Sequence, residues 1–217
     1  MTTSDAARAR PEGREATGIT LRAFRVNAAL NHLMFTGRRA RVYDRIVALS
    51  GVRPGDSVLD VGSSNGYLAT RLAAAGPAIR VTGVDPSEPA IAYARRHDRP
   101  GMTFTVGVAQ DLHLPDASFD VVTCTLALHH LPRRQRPAAL AEMYRVTKPG
   151  GRLLTADLAP VLHARDRLTG PGGLGADPAW TDPQADLAAA AGFQIESFGK
   201  LPLLRYIVAV RPQASRG

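Results

Sequence analysis

The hydrophobic pattern of this chain of 217 residues changes period repeatedly. Short β-branched runs predict strands, and apolar residues spaced three or four apart predict helices. The predicted strands are 57–61, 79–84, 102–106, 119–124, 152–156, 193–198 and 203–210, the last two joined by a turn at 199–202. The predicted helices are 65–75, 86–97, 133–146 and 183–191. This alternation favours an α/β fold, in which helices cover both faces of a mostly parallel sheet.

Two parts of the chain depart from the alternation. Residues 1–18 are polar and aperiodic, which predicts a mobile leader, and residues 19–50 show helical spacing, which predicts a helical N-terminal cap. We expect a single domain over 51–217. Within it, the segment 158–182 is rich in glycine and interrupts the alternation of strands and helices. We therefore expect a lid loop that orders when a ligand binds.

Composition excludes several classes of protein. With 45% hydrophobic and 21% charged residues, the chain can bury a sizeable core, which excludes a wholly disordered protein. No apolar stretch approaches the roughly 20 residues of a membrane-spanning helix, so we expect a cytoplasmic protein with no membrane span. Cys124 is the single cysteine, which excludes a disulfide framework and a cysteine-rich zinc site.

The formal net charge of +8 raises the question of a nucleic-acid partner. Residues 1–53 hold ten arginines against four acidic residues, so they account for six of the eight net charges. A bias toward arginine and alanine explains this distribution as well as a binding surface does. We therefore favour a solvated surface over nucleic-acid binding.

The chemistry-bearing motif follows the first predicted strand. The strand passes through Asp60, and a glycine-rich turn containing Gly62, Ser64 and Gly66 leads into a helix. Such a turn lets a ligand approach the backbone, and the helix N-terminus offers unpaired N–H groups. The spacing differs from the G-x-G-x-x-G of dinucleotide sites, and the Asp60 carboxylate repels a diphosphate but can hold an ammonium group.

A second carboxylate, Asp85, ends the second predicted strand. It lies about 20 residues past the glycine-rich turn, where an acid can accept hydrogen bonds from both ribose hydroxyls. Together with Asp60, it suits a nucleoside that carries an amino acid.

These residues resemble the class I S-adenosylmethionine-dependent methyltransferases, within the small-molecule branch that includes ubiquinone and menaquinone biosynthesis. The resemblance covers about residues 40–157, with a weaker match over 182–210. Its segments are the glycine-rich motif at 60–66, the adenine-side loop and fourth strand at 104–122, the turn into the fifth strand at 144–153, and the turn before the terminal hairpin at 190–193. It implies a Rossmann-like, seven-stranded sheet with the last strand antiparallel.

The resemblance also implies a function and a set of site residues. The chain is expected to transfer a methyl group from S-adenosylmethionine to an O, N or C nucleophile of a small-molecule acceptor, releasing S-adenosylhomocysteine. Backbone groups of Ala109 and Gln110 are expected to meet adenine. The implied cofactor-binding residues are Asp60, Gly62, Ser64, Gly66, Asp85, Pro86, Ala109, Gln110 and Thr125.

Two residues depart from the family pattern. Ser64 replaces the usual middle glycine, which fits if its φ is negative and otherwise crowds the cofactor. Val108 stands where many relatives carry an aspartate that reaches the adenine amino group. Its loss is expected to weaken cofactor binding by roughly 1 kcal/mol, unless Gln110 or Asp111 takes that role.

Two adjacent histidines, His129 and His130, follow the fourth predicted strand, at the sheet edge where ligands collect. One of them can act as general base toward an acceptor hydroxyl or amine. His130 comes just before Leu131 and Pro132, so we expect it to face the cleft, with His129 toward the sheet or a helix. Alternatively, one packs and the other caps the next helix, and alignment alone drives the reaction. Adjacent side chains diverge, so no metal site is expected.

Two other functions stay open from the sequence. One is an RNA methyltransferase, which only the basic first quarter supports, and the other is a methyltransferase fold with lost or altered chemistry. The sequence also leaves open the identity of the acceptor and the choice between monomer and homodimer.

Overall fold

The computed structural model describes residues 39–158 and 183–213. The predicted leader at 1–18, most of the predicted cap, and the lid loop after Leu158 lie outside the described residues. What is described of the cap is helix α1, Arg39–Ser50, which buries Val42 and Ile46 against the sheet domain.

A seven-stranded sheet forms the centre of the fold, in the order β3-β2-β1-β4-β5-β7-β6. Its strands are β1 Ser57–Val61, β2 Arg80–Asp85, β3 Met102–Val106, β4 Phe119–Thr125, β5 Thr147–Leu158, β6 Gln194–Leu201 and β7 Leu204–Val210. Strands β1 to β5 pair in parallel, and β7 runs antiparallel to both β5 and β6. The Rossmann-like sheet with an antiparallel last strand is therefore confirmed.

The remaining helices connect these strands and cover the sheet. They are α2 Tyr67–Ala73, α3 Glu88–Arg96, α4 Arg136–Val146 and α5 Pro183–Ala190, with short 3-10 turns at Leu128–His130 and Arg133–Gln135. In β1, Val58 packs into the core shared with α1, α2 and α3, whereas Leu59 packs into the core shared with α4 and α5. Because strand side chains alternate between faces, Asp60 follows on the α1 side.

Several boundaries differ from the sequence prediction, and three of the differences have a clear structural description. Helix α2 begins at Tyr67 rather than residue 65, because Gly66 adopts a φ of 78° that no right-handed helix accepts. The predicted turn at 148–151 forms an irregular stretch inside β5, where the pairing register with β4 shifts. The terminal hairpin turns at Pro202 and Leu203, so most of the predicted turn at 199–202 is strand. Proline followed by a residue with a φ of 65° is the pattern of a type II turn.

Candidate functional site

Strands β1, β2 and β4 end around one cleft of about 360 Å³, a volume in the range of small-ligand sites. The sequence-predicted residues that line it are Asp60, Gly62, Ser64, Asp85, Pro86, Ala109, Gln110, Thr125 and His130. Gly66 and His129, which were also predicted, are not among the lining residues. Gly66 instead precedes α2, where an added Cβ would lie 2.8 Å from the ring of Phe104.

The glycine-rich turn is fixed to the end of β2 by its backbone. The N–H groups of Gly62 and Ser63 both donate to the carbonyl of Val84, at 2.7 and 3.0 Å. Gly62 has a φ of 75°, and a Cβ at that position would lie 2.3 Å from the Cβ of Ala127. The turn therefore needs glycine both for its backbone conformation and for the close approach of the loop after β4.

Gly62→Ala is expected to lower the free energy of unfolding by about 2–4 kcal/mol, because strain in φ adds to the clash with Ala127. Urea unfolding measures this change. Gly55→Ala is the matched control, since Gly55 has a φ of 84° but no atom within 4 Å of its added Cβ. Equal losses in the two variants would show that the contact with Ala127 has no effect on stability.

Ser64 and Leu126, which both line the cleft, have left-handed backbones with φ of 49° and 56°. The negative φ under which Ser64 was expected to replace glycine without crowding the cofactor is therefore not observed. The reason is a hydrogen bond, since this conformation directs the Ser64 N–H to Asp85 Oδ2 at 2.9 Å. Backbone strain of roughly 1–3 kcal/mol per residue collects at binding sites, and here it is tied to the orientation of a carboxylate.

Asp60 is buried at the end of β1, with 2% of its surface exposed. Thr123 Oγ1 donates to its Oδ1 at 2.9 Å, whereas its Oδ2 is buried without a hydrogen-bond partner in the described part of the chain. Burial, with a smaller contribution from the charge of Asp85, raises the pKa of Asp60 to about 7. An unpaired carboxylate oxygen in this environment suits a cationic donor.

Asp85 is held by two backbone donors at the end of β2. Ser87 N donates to its Oδ1 at 2.8 Å, and Ser64 N donates to its Oδ2 at 2.9 Å. Burial raises the pKa of Asp85, and these two hydrogen bonds oppose the rise. Because each carboxylate oxygen can accept more than one hydrogen bond, both stay available to a pair of hydroxyl donors in the cleft.

Two hydroxyls add to the unsatisfied groups around the cleft. Ser63 Oγ and Thr125 Oγ1 are buried and, among the described residues, have no hydrogen-bond partner. Buried polar atoms in folded proteins are nearly always paired. Together with Asp60 Oδ2, they indicate that a polar ligand completes this cleft. Thr125 was predicted from the sequence, and Ser63 was missed although it lies inside the motif.

The loop at 107–114 forms the far wall of the cleft. Gln110 lines the cleft beside Val108, whereas the Asp111 side chain is exposed, so Gln110 is the better placed of the two suggested substitutes. Arg145 in α4 anchors this loop by donating to the carbonyls of Leu112 and Leu114, at 2.7 and 2.8 Å. These hydrogen bonds join the end of the loop to α4.

The histidine pair lies on the 3-10 turn after β4. His130 lines the cleft, and its ring centroid is 3.9 Å from that of His129. His129 turns away from the cleft toward Asp157 at the end of β5. Its Nδ1 lies 2.5 Å from Asp157 Oδ1, and its backbone N–H donates to Oδ2 at 3.0 Å. Partial burial, and then the neighbouring His129, lower the pKa of His130.

Residues outside the predicted set also reach the cleft. Arg39 and Tyr43 from α1, and Tyr67 from α2, line the wall next to Asp60.

Within residues 39–158 and 183–213, no group of three or more histidine, cysteine, aspartate or glutamate side chains could hold a metal ion. No helix in the same ranges is long and apolar enough to cross a bilayer.

Comparison with known proteins supports one interpretation of this cleft. Residues 58–151 match the methyltransferase domain family. The 27-O-demethylrifamycin SV methyltransferase of Amycolatopsis mediterranei is 38% identical over 124 residues, covering 54% of this chain and 44% of that protein. The demethylmenaquinone methyltransferase of Symbiobacterium thermophilum is 37% identical over 132 residues, covering 58% and 52%. The chain thus spans about half the length of the curated relatives it matches.

A solved structure agrees with the sequence matches. An S-adenosylmethionine-dependent methyltransferase from Methanosarcina mazei is 25% identical, with a TM-score of 0.61, covering 75% of this chain and 95% of that chain. Residues 58–151 therefore match a methyltransferase domain, in agreement with the class I resemblance of the sequence. The family resemblance drawn from 60–66 and 144–153 is therefore confirmed. The cleft at the carboxyl ends of β1, β2 and β4 is lined by the motif residues Asp60, Gly62, Ser64 and Asp85.

Proposed function

We propose that this chain binds S-adenosylmethionine in the cleft and transfers the methyl group to a small-molecule acceptor. The observation that carries the proposal is the pair of buried carboxylates, Asp60 and Asp85, which flank the glycine turn and face the same cleft. Relatives named for demethylrifamycin and demethylmenaquinone support an acceptor of small-molecule type.

The donor set fits the parts of such a cofactor. Asp60 Oδ2 lacks a partner and would accept from the α-ammonium group. Asp85, oriented by Ser64 and Ser87, would accept from the two ribose hydroxyls. Gln110 and the backbone around it would border the adenine ring. A NAD molecule fits less well, because its diphosphate would meet the carboxylate of Asp60.

S-adenosylmethionine, when bound, supplies an electrophilic methyl group on a sulfonium ion. The protein's part in the chemistry is to align the acceptor, exclude water and accept the proton that the acceptor loses. His130 lines the cleft in a neutral form near pH 7, because its pKa is lowered, so its free ring nitrogen can accept the proton of an acceptor hydroxyl. Leu131 and Pro132 border the same space and would keep water away.

His129 and Asp157 support this role from behind the cleft. Asp157 accepts from both the backbone N–H and the ring of His129, so it fixes the 3-10 turn that presents His130. In this proposal His129 is a positioning residue, because its ring contacts His130 and Asp157 instead of the cleft.

Asp85→Ala is expected to bind S-adenosylhomocysteine at least tenfold more weakly than the unmodified protein, a loss of about 1.4 kcal/mol, because the ribose hydroxyls lose their acceptor. Isothermal titration calorimetry measures the affinity directly, and circular dichroism checks that the variant is folded. Asp85→Asn keeps an oxygen and a similar volume, so an intermediate loss is expected.

The matched control is Asp98→Ala, since Asp98 is an exposed aspartate beyond the end of α3 and away from the cleft. Its affinity for S-adenosylhomocysteine should equal that of the unmodified protein. An unchanged affinity in Asp85→Ala, or tighter binding of NAD than of S-adenosylhomocysteine, would overturn the cofactor assignment. Methyl transfer itself is tested by following S-adenosylhomocysteine release with a panel of hydroxyl, amine and activated-carbon acceptors.

A further inference from the structure

A tight turn lies at the centre of the 107–114 loop, on the far wall of the cleft. Val108 and Asp111 form an isolated β-bridge, in which Asp111 N donates to the carbonyl of Val108 at 3.2 Å. The two residues between them, Ala109 and Gln110, both line the cleft. The contacts that hold the chain immediately after Asp111 therefore determine where these two residues lie.

Two charged side chains of α4 hold the chain at that point, and neither of them lines the cleft. Glu142 Oε2 accepts from the backbone N–H of Leu112 at 2.7 Å, and Arg145 donates to the carbonyl of Leu112 at 2.7 Å. Arg145 also donates to the carbonyl of Leu114 at 2.8 Å. Side chains thus bind both backbone hydrogen-bonding groups of Leu112, as a neighbouring strand would do in a sheet.

Glu142 and Arg145 also hold each other in this geometry. Arg145 Nε and one terminal nitrogen donate to the two carboxylate oxygens of Glu142, each at 2.8 Å, which is a bidentate arrangement. The hydrogen bond from Arg145 lowers the pKa of Glu142, so the carboxylate stays charged. A further partner of Arg145, Asp116, is exposed and follows the loop. An exposed ion pair contributes little by itself, but here the Glu142 pair is shared with the backbone of the buried Leu112.

We propose that Glu142 and Arg145 are positioning residues, which hold the 107–114 loop in the conformation that accepts the adenine base. This inference rests on the proposed function, in which Gln110 borders that base. A loop that is already ordered loses little further conformational freedom when the ligand binds, so this pre-organisation raises the affinity. The affinity for the base thus depends on a helix that does not line the cleft.

Arg145→Lys tests this role directly, because lysine keeps the positive charge but lacks the flat group that donates to Glu142 and to two carbonyls at once. In calorimetry, the variant should bind S-adenosylhomocysteine about five- to tenfold more weakly than the unmodified protein. S-ribosylhomocysteine keeps the ribose and the amino acid but lacks the base, so its affinity should stay within about twofold. Amide hydrogen exchange at 107–114 should be faster in the free variant and should slow when S-adenosylhomocysteine binds.

Glu196→Gln is the matched control, since Glu196 forms an ion pair of 2.7 Å with Arg152 and neither residue lines the cleft. It should bind both ligands like the unmodified protein, whereas Glu142→Gln should change the affinities in the same direction as Arg145→Lys. An unchanged affinity of Arg145→Lys for S-adenosylhomocysteine overturns the positioning role, and so does an equal loss for both ligands. Failure of the unmodified protein to bind S-adenosylhomocysteine would instead contradict the proposed function, and this inference with it.

Discussion

Asp60→Asn is expected to stabilise the ligand-free protein at pH 8 while weakening cofactor binding. Asparagine keeps the oxygen that accepts from Thr123 Oγ1, but it removes a charge that is buried without a partner at Oδ2. At pH 8 the gain in the free energy of unfolding should be about 2–4 kcal/mol, since each unit of pKa shift corresponds to about 1.4 kcal/mol.

The gain should depend on pH with a defined sign. The pKa of Asp60 is raised from 3.8 to about 7, so the native state holds a proton that the unfolded chain has already lost. The stability that this proton provides is fully present below pH 3.8 and is lost progressively as the pH rises from there to about 7. Urea unfolding at pH 4 and pH 8 should therefore show a small difference between Asp60→Asn and the unmodified protein at the lower pH, and a large one at the higher.

The Asp60→Asn variant should bind the cofactor more weakly, although it is more stable. Without the carboxylate, S-adenosylhomocysteine binding should weaken roughly 30- to 100-fold, because a hydrogen bond between two charged groups is lost. Asp98→Asn is the control for both measurements, since Asp98 is exposed and distant from the cleft. A variant that is less stable at pH 8, or one that binds S-adenosylhomocysteine as well as before, would contradict the role of Asp60.

Local sequence patterns predicted much of the fold. Strand β1 was predicted to the residue, because a β-branched run is bounded on one side by the Pro54-Gly55 turn and on the other by Gly62. Backbone dihedrals set the limits of this approach. Gly66 fits a helical pattern as well as a cap, and only its φ of 78° shows that it ends the turn and leaves α2 to start later.

The site was predictable where a functional residue lies at the end of a strand or just after it. Asp60, Asp85 and His130 each end a strand or follow one, so parallel pairing brings them to one edge of the sheet. Asp157 follows the same rule at the end of β5, and extending the predicted strand by one residue would have included it. Arg39, which also lines the cleft, had no such signal, because its position depends on the Tyr67 ring from another helix.

His130→Ala is expected to lower turnover roughly a hundredfold with cofactor affinity unchanged, because a general base contributes about that factor. The rate of the unmodified protein should fall at acid pH, where His130 is protonated and can no longer accept a proton. Since partial burial and His129 both lower the pKa of His130, the inflection should lie below the ordinary histidine value of about 6.5. Steady-state rates from pH 5 to 8, with affinity measured separately, give both quantities.

His129→Gln separates the positioning role from the catalytic one. Removing His129 takes away a group that lowers the pKa of His130, so the acid limb of the pH profile should move to higher pH while substantial turnover persists. The variant should also be less stable, because the buried Asp157 loses the ring that it contacts at 2.5 Å. Most activity retained in His130→Ala, together with a flat pH profile, would contradict the base and assign the rate to alignment of the acceptor with the sulfonium alone.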